Sequence, residues 1–186
     1  MKFKHKIQTL KSGIQICIRR VEEKEAQALL ELKRAYIKNT TTIPMTLAEY
    51  PYDIDKEAAL IKAYEKSKNS ILLVAEIDGE LIGNIDLTGS KRIKMCHTAM
   101  VGMGIKEQWR NQGLGKILIN CILEWAKKQS EIEIVWLNVY ASNELGCYLY
   151  KNTGFEVSGI VKDFFKSEAG YIDKIEMYQR IRKKNI

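Results

Sequence analysis

Histidine, proline and paired cysteine are scarce in this 186-residue chain, and each scarcity closes a class of function. With only His5 and His97, a histidine-rich metal site is hard to build, so no metal is expected. Cys17, Cys96, Cys121 and Cys147 are widely separated, form no Cys-x-x-Cys and lie mostly inside apolar patterns. Buried free thiols behave this way, whereas a disulfide framework or zinc site does not. No apolar run approaches a membrane span, and Met1-Lys2-Phe3-Lys4-His5-Lys6 lacks the apolar stretch of a secretory signal. A cytoplasmic protein without membrane contact is expected. Two prolines and 46% hydrophobic residues suit one packed domain over 1–186, with basic tails at about 1–11 and 179–186.

Positive charge is what the chain has in excess, with a net +7. Lys2, Lys4, Lys6, Lys11, Arg180, Arg182, Lys183 and Lys184 supply eight charges with no acid among them, and without them 22 basic residues face 23 acids. A nearly neutral body with basic ends reads as a domain with solvated tails, so nucleic acid is not the expected partner. A ribosome-associated role and a homodimer stay open.

Apolar alternation predicts a strand over Ile14–Val21, and helical spacing of Ala26, Leu29, Leu30 and Ile37 predicts a helix over Glu22–Asn39. A long proline-containing loop follows, from Thr40 to Asp53, and then a helix at Asp55–Lys68. Asp78-Gly79 between Ile71–Ile77 and Leu81–Leu87 marks a hairpin. Further strands are expected at about His97–Ile105, Ile132–Tyr140, Phe155–Phe165 and Tyr171–Ile181. Gly102 and Gly104 inside the first of these predict a bulge or a close approach by a ligand.

That strand runs into Trp109-Arg110-Asn111-Gln112-Gly113-Leu114-Gly115-Lys116, and from Leu114 the residues Ile117, Leu118, Cys121, Ile122, Trp125 and Ala126 mark one helical face. Strand, glycine loop and helix in this order suit a phosphate, because the first helical turn has unpartnered N–H groups and the positive dipole end. Arg110 and Lys116 add charge. The spacing excludes two designs: one residue separates Gly113 from Gly115 and Ile117 follows the lysine, which breaks a P-loop, and Leu118 stands where the dinucleotide fingerprint needs a third glycine.

Arg110-x-x-Gly113-x-Gly115 resembles the pyrophosphate loop of the GCN5-related N-acetyltransferases (GNAT). Asn143-Glu144-Leu145-Gly146-Cys147-Tyr148-Leu149-Tyr150-Lys151-Asn152-Thr153-Gly154-Phe155 is similar to that family's second motif, Asn-x-x-Ala-x-x-Leu-Tyr-x-x-x-Gly-Phe. Gly170-Tyr171-Ile172-Asp173 with Met177 looks like the last strand of the ribosomal-protein, polyamine and phosphinothricin-like branches. The resemblance implies an α/β (α+β) fold. Its sheet would be mixed and mostly antiparallel, with six or seven strands, helices on both faces and a parallel pair splayed between Met100–Ile105 and Ile134–Val139.

It also implies transfer of an acetyl group from acetyl-CoA to a primary amine, on a small molecule, polyamine or peptide N-terminus, without a covalent enzyme intermediate. Amides of Gln112, Gly113, Leu114, Gly115 and Lys116 would hold the pyrophosphate, beside Arg110 and Asn111. Amides near Met103, Gly104 and Ile105 would hold the pantetheine arm and the thioester oxygen. Asn138, Asn143 and Gly146 join the cofactor set, and Tyr150, on the helix face it shares with Asn143, would protonate the departing thiolate. Met100 stands where relatives often carry a glutamate, which leaves Glu76, Asp86 or Asp173 to accept a proton through water, or the substrate amine to arrive already neutral. The loop Thr40–Asp55, with Glu49, Asp53 and Asp55, and the hairpin Asp163–Tyr171 are the expected acceptor walls. The alternative is a non-catalytic module of the same fold that binds acyl-CoA, the ribosome or nucleic acid.

Overall fold

The computed structural model describes residues 3–128 and 131–182, so Lys2, Lys183 and Lys184 of the basic ends lie outside the described residues. The described residues form an eight-stranded sheet, ordered β1-β2-β3-β4-β5-β6-β8-β7. Its strands are β1 (Lys6–Thr9), β2 (Gln15–Arg20), β3 (Ile71–Ile77), β4 (Glu80–Gly89), β5 (Thr98–Ile105), β6 (Ile134–Tyr140), β7 (Glu156–Ser167) and β8 (Gly170–Arg180). Every pair is antiparallel except β5 with β6, which gives the mixed, mostly antiparallel sheet.

The strand count exceeds the expected six or seven because β1 pairs with β2 from Lys6↔Ile18 to Thr9↔Gln15. This stretch was expected to be a solvated tail, but its apolar Ile7 and Leu10 punctuate the lysines, and Leu10 is buried in the core. At the other end, Arg180 closes β8 rather than beginning a tail.

Among the described residues four α-helices cover the sheet: α1 (Ala26–Lys38), α2 (Ile54–Lys66), α3 (Leu114–Lys127) and α4 (Glu144–Asn152). The first helix begins later than its apolar spacing suggests, because Glu22 and Glu25 form a capping box around a single 3-10 turn at Glu23–Glu25. Strand alternation divides the core. Ile85, Leu87, Ala99, Val101, Val135 and Leu137 pack with Leu118, Ile119 and Ile122 of α3, whereas Leu72 and Val74 pack with Leu29, Leu32 and Tyr36 of α1 and Ile61 of α2. Burying each such leucine or isoleucine is worth about 1.5–3 kcal/mol, so α3 is anchored along its whole inner face.

Asp78 and Gly79, with φ of 48° and 83°, make the tight turn that joins β3 to β4. The expected bulge in β5 is absent: β4 and β5 pair in unbroken register from Gly83↔Ile105 to Gly89↔Ala99, and the local register shift falls in β3 between Ala75 and Glu76. Gly102 and Gly104 instead make room for side chains. A Cβ at Gly102 would stand 2.7 Å from Asp86 Oδ1, and one at Gly104 would stand 2.2 Å from the Tyr36 ring.

Candidate active site

The parallel pair opens part-way along its length. β5 and β6 are joined at Thr98↔Ile134, Ala99↔Val135 and Met100↔Trp136, and no pairing continues beyond, although β5 runs to Ile105 and β6 to Tyr140. Met103, Gly104 and Ile105 therefore line one wall of a splay and Asn138 the other, where Asn138 is exposed opposite Glu176 of β8. Peptide groups on the facing edges of such a splay have no strand partner, which is the chemistry a ligand amide or thioester oxygen can use.

β5 leads directly into the glycine loop. Asn111 and Gly113 adopt left-handed φ of 61° and 86°, a turn Gly113 makes without the steric cost of a side chain. Gly113 is the N-cap of α3 and supplies no side-chain cap, so the N–H groups of Leu114, Gly115 and Lys116 are left for another acceptor. The Arg110 guanidinium does not face this turn alone: its Nε donates to the Ile105 carbonyl and its Nη1 to the Asn39 carbonyl, both at 3.2 Å. Arg110 thus braces the loop against the end of α1. Gly115 has a packing role as well, since its Cβ would stand 2.8 Å from Leu149 Cδ2 of α4. Gln112 Nε2 donates to the Gln108 carbonyl.

On α4, Asn143 Oδ1 caps the helix by accepting from Gly146 N at 2.9 Å, and its Nδ2 remains available to donate. Gly146 is needed for that fold-over, because a Cβ there would stand 2.7 Å from Asn143 Nδ2. Tyr150 is half-buried and packs against the core and, edge to face, on Phe155 at 5.9 Å, while Tyr148 is exposed. Burial pushes the Tyr150 phenol up to about 12.

The GNAT acetyltransferase domain matches residues 18–175, nearly the whole sheet with its helices. The chain belongs to the GNAT family. The L-amino acid N-acetyltransferase AaaT of Escherichia coli K12 is 28% identical over 105 residues, covering 56% of this chain and 65% of AaaT, just under two thirds of that relative. An N-alpha-acetyltransferase of Sulfurisphaera tokodaii is 30% identical over 124 residues, 62% of this chain and 71% of that protein. Among solved structures, yncA of Salmonella typhimurium, determined with its cofactor acetyl-CoA, superposes with a TM-score of 0.82 at 16% identity, over 92% of this chain and 96% of that one.

Several residues of this GNAT chain escaped sequence reasoning. Lys11, counted with the tail, sits in the β1–β2 turn, which packs on the glycine loop: Lys11 N donates to the Gln112 carbonyl at 3.1 Å and Ser12 Oγ to Gln112 Oε1 at 3.0 Å. The Lys11 stem passes 3.5–3.9 Å from the Cβ position of Gly113, which brings an exposed lysine to the start of α3. The only signal was Ser12-Gly13 between a basic alternating stretch and a strand. Tyr36 reads as one more core residue of α1, yet its ring covers Gly104. On the far wall Tyr140 stacks on Phe165 at 3.7 Å, and Lys174 lies 4.0 Å over Phe164.

The expected acceptor acids are largely engaged in turns. Glu49 accepts from Thr46 N and Oγ1, and Asp53 caps α2 through Lys56 N at 3.0 Å, so these two serve loop structure. Tyr50 is turned inward onto the buried Glu57, which Lys33 approaches at 2.8 Å, and Arg34 donates to the Tyr50 carbonyl. Asp55, in the first turn of α2, is exposed and makes no such side-chain turn bond among the described residues.

Proposed function

We propose that this protein transfers the acetyl group of acetyl-CoA to a primary amine by direct attack in a ternary complex. The observation that carries the reading is the end of β5–β6 pairing at Met100↔Trp136, beside a glycine loop that delivers the uncapped N-terminus of α3. An uncapped, side-chain-free turn fits a pyrophosphate, and the unpaired edge from Met103 to Ile105 fits the amide-bearing arm and thioester of acetyl-CoA, which supplies the activated acyl carbon. Asn143 Nδ2 is free to donate to that arm. Tyr150 holds its proton throughout the physiological range and can give it to a departing thiolate. Cys147 has burial pushing its thiol up, so it makes a poor nucleophile and favours direct transfer over a covalent acyl-enzyme.

The acceptor enters from the sheet face that carries Tyr36, Trp136 and Tyr140, between the Thr40–Asp53 loop and the β7–β8 hairpin. Free amino acids and peptide N-termini are the acceptor classes suggested by the two relatives, and a cytoplasmic reaction accords with the use of acetyl-CoA. We assign the activity to one domain spanning the chain. Against a nucleic-acid module, three of the basic-end residues are engaged within the domain: Lys6 pairs with Glu124, Arg180 with Glu133, and Arg182 donates to the Lys127 carbonyl.

Calorimetry with acetyl-CoA tests the cradle: the wild type binds, and Gly113→Glu, which combines a strained φ with a negative charge, does not. Undiminished binding by the variant refutes the assignment. CoA release during a screen of amino acids, polyamines, aminoglycosides and peptide N-termini identifies the acceptor, and binding without release with any of them supports a non-catalytic acyl-CoA binder.

A further inference from the structure

Three carboxylates could serve a proton relay in place of the one missing at Met100, and their surroundings separate them. Glu76 is bound by Arg19 at 2.5 Å, which also holds Glu25. Asp173 is bound by Lys162 at 2.7 Å and by the Asp163 amide at 3.0 Å. Asp86, on β4, has no cation within ion-pair distance among the described residues, and hydroxyls hold one of its oxygens: Oδ2 accepts from Tyr64 at 3.0 Å and from Thr88 at 3.1 Å, and those two hydroxyls lie 2.6 Å apart.

The other oxygen, Oδ1, accepts no hydrogen bond among the described residues and reaches across β5 at Gly102, where even a methyl group would collide with it. Asp86 pairs with Gly102, Thr88 with Met100 and Asn84 with Gly104, so these side chains and bare Cα atoms share one face of the sheet. Met100 is the last β5 residue joined to β6, which sets Gly102 inside the splay and Asp86 Oδ1 over its acceptor side. Tyr36 and Lys33 from α1, Tyr64 and Glu57 from α2, and Thr88 on β4 are the titratable and polar groups that face this carboxyl.

We infer that Asp86 takes the proton from the acceptor ammonium, that Gly102 exists to admit its free oxygen, and that Tyr64 is its positioning residue. The inference rests on the acetyl-transfer reading. One ammonium proton passes to Asp86 Oδ1, directly or through a water, and frees the nitrogen lone pair. The C–N bond then forms as the C–S bond breaks, and Tyr150 gives its proton to the sulfur. The second nitrogen proton neutralises the Tyr150 phenolate, and Asp86 releases its proton to solvent, one proton per turnover.

Burial raises the Asp86 carboxyl above the usual range, while the Tyr64 and Thr88 hydrogen bonds and the Lys33 charge draw it back. A raised value suits a base that works near neutrality. Because the active form is the carboxylate, activity is retained above that raised value and lost as pH falls through it.

The test is the pH profile of kcat/KM with free L-amino acids and an alanine-initiated peptide as acceptors, joined to carbon NMR titration of the Asp86 carboxyl without ligand. Asp86→Asn should bind acetyl-CoA as the wild type does, lose about a hundredfold or more in kcat/KM at neutral pH, and lose the acidic limb. Tyr64→Phe removes a hydrogen bond to the carboxylate, so the limb and the NMR titration should both move to higher pH, which a merely structural role would not produce. An unchanged profile in Asp86→Asn, or titration of Asp86 in the ordinary aspartate range, overturns the inference. Failure of the wild type to bind acetyl-CoA removes the acetyl-transfer reading instead, and this step with it.

Discussion

The hydroxyl end of the Tyr36 ring occupies the space a side chain at residue 104 would need: a Cβ built on Gly104 stands 2.2 Å from both Cε1 and Cζ of Tyr36. Tyr36 is 8% exposed, so the ring cannot swing aside freely. A helix residue thereby covers the face of β5 just where its pairing to β6 has ended.

Gly104→Ala should destabilise the protein by about 1–3 kcal/mol, the usual cost of overpacking a filled core. Urea denaturation measures it, and adding Tyr36→Leu, which removes the colliding ring atoms, should recover most of the loss. A single variant as stable as the wild type would contradict the contact.

Lys11→Ala should weaken acetyl-CoA binding about two- to fivefold, the range for an exposed charge contact worth up to ~1 kcal/mol. The difference should shrink in high salt, because exposed charges are screened. Calorimetry at two ionic strengths decides this, and equal affinities at low salt would return Lys11 to a purely structural turn.

Tyr150→Phe should lower turnover roughly a hundredfold, at the low end for general acids, while acetyl-CoA affinity stays unchanged. The reason is energetic: a phenol pushed up to about 12 gives its proton uphill to a thiolate whose acid has an ordinary value near ~8.5. Single-turnover kinetics isolates the chemical step, and an unaltered rate there would leave positioning as the main source of catalysis.

Glu25→Gln should cost stability at neutral pH and little in acid. Arg19 binds Glu25 through two hydrogen bonds of 2.6 and 2.7 Å, and this pairing holds the Glu25 carboxyl below its usual range. The stabilisation is therefore full above the unfolded value near ~4.3 and disappears as pH falls through the lower folded value. Denaturation of both proteins between pH 7 and pH 2 gives the difference, and a constant offset across that range would contradict the linkage.

The elements that frame the candidate site were legible in the chain because their signals are local. The apolar stripe from Leu114 to Ala126, the Asp78-Gly79 turn, the Arg110-x-x-Gly113-x-Gly115 loop and the Asn143–Phe155 motif each lie within a window of at most fourteen residues and folded as their spacing indicated. Periodicity also gave the order of strands and helices, and the resemblance of the two motifs pointed to the family.

Contacts between distant segments were not legible. The lysines of β1 spell a solvated tail until Leu10 is buried and Lys11 meets Gln112, a hundred residues on. The glycines of β5 spell a bulge until Asp86 and Tyr36 fill the space above them, and nothing local to Arg110 tells that its Nε and Nη1 meet the carbonyls of Ile105 and Asn39. A sequence fixes which side chains are present and which way each alternates. Which of them share a volume is decided only when the sheet closes, because packing and hydrogen bonding act over a few ångströms between residues that the chain keeps far apart.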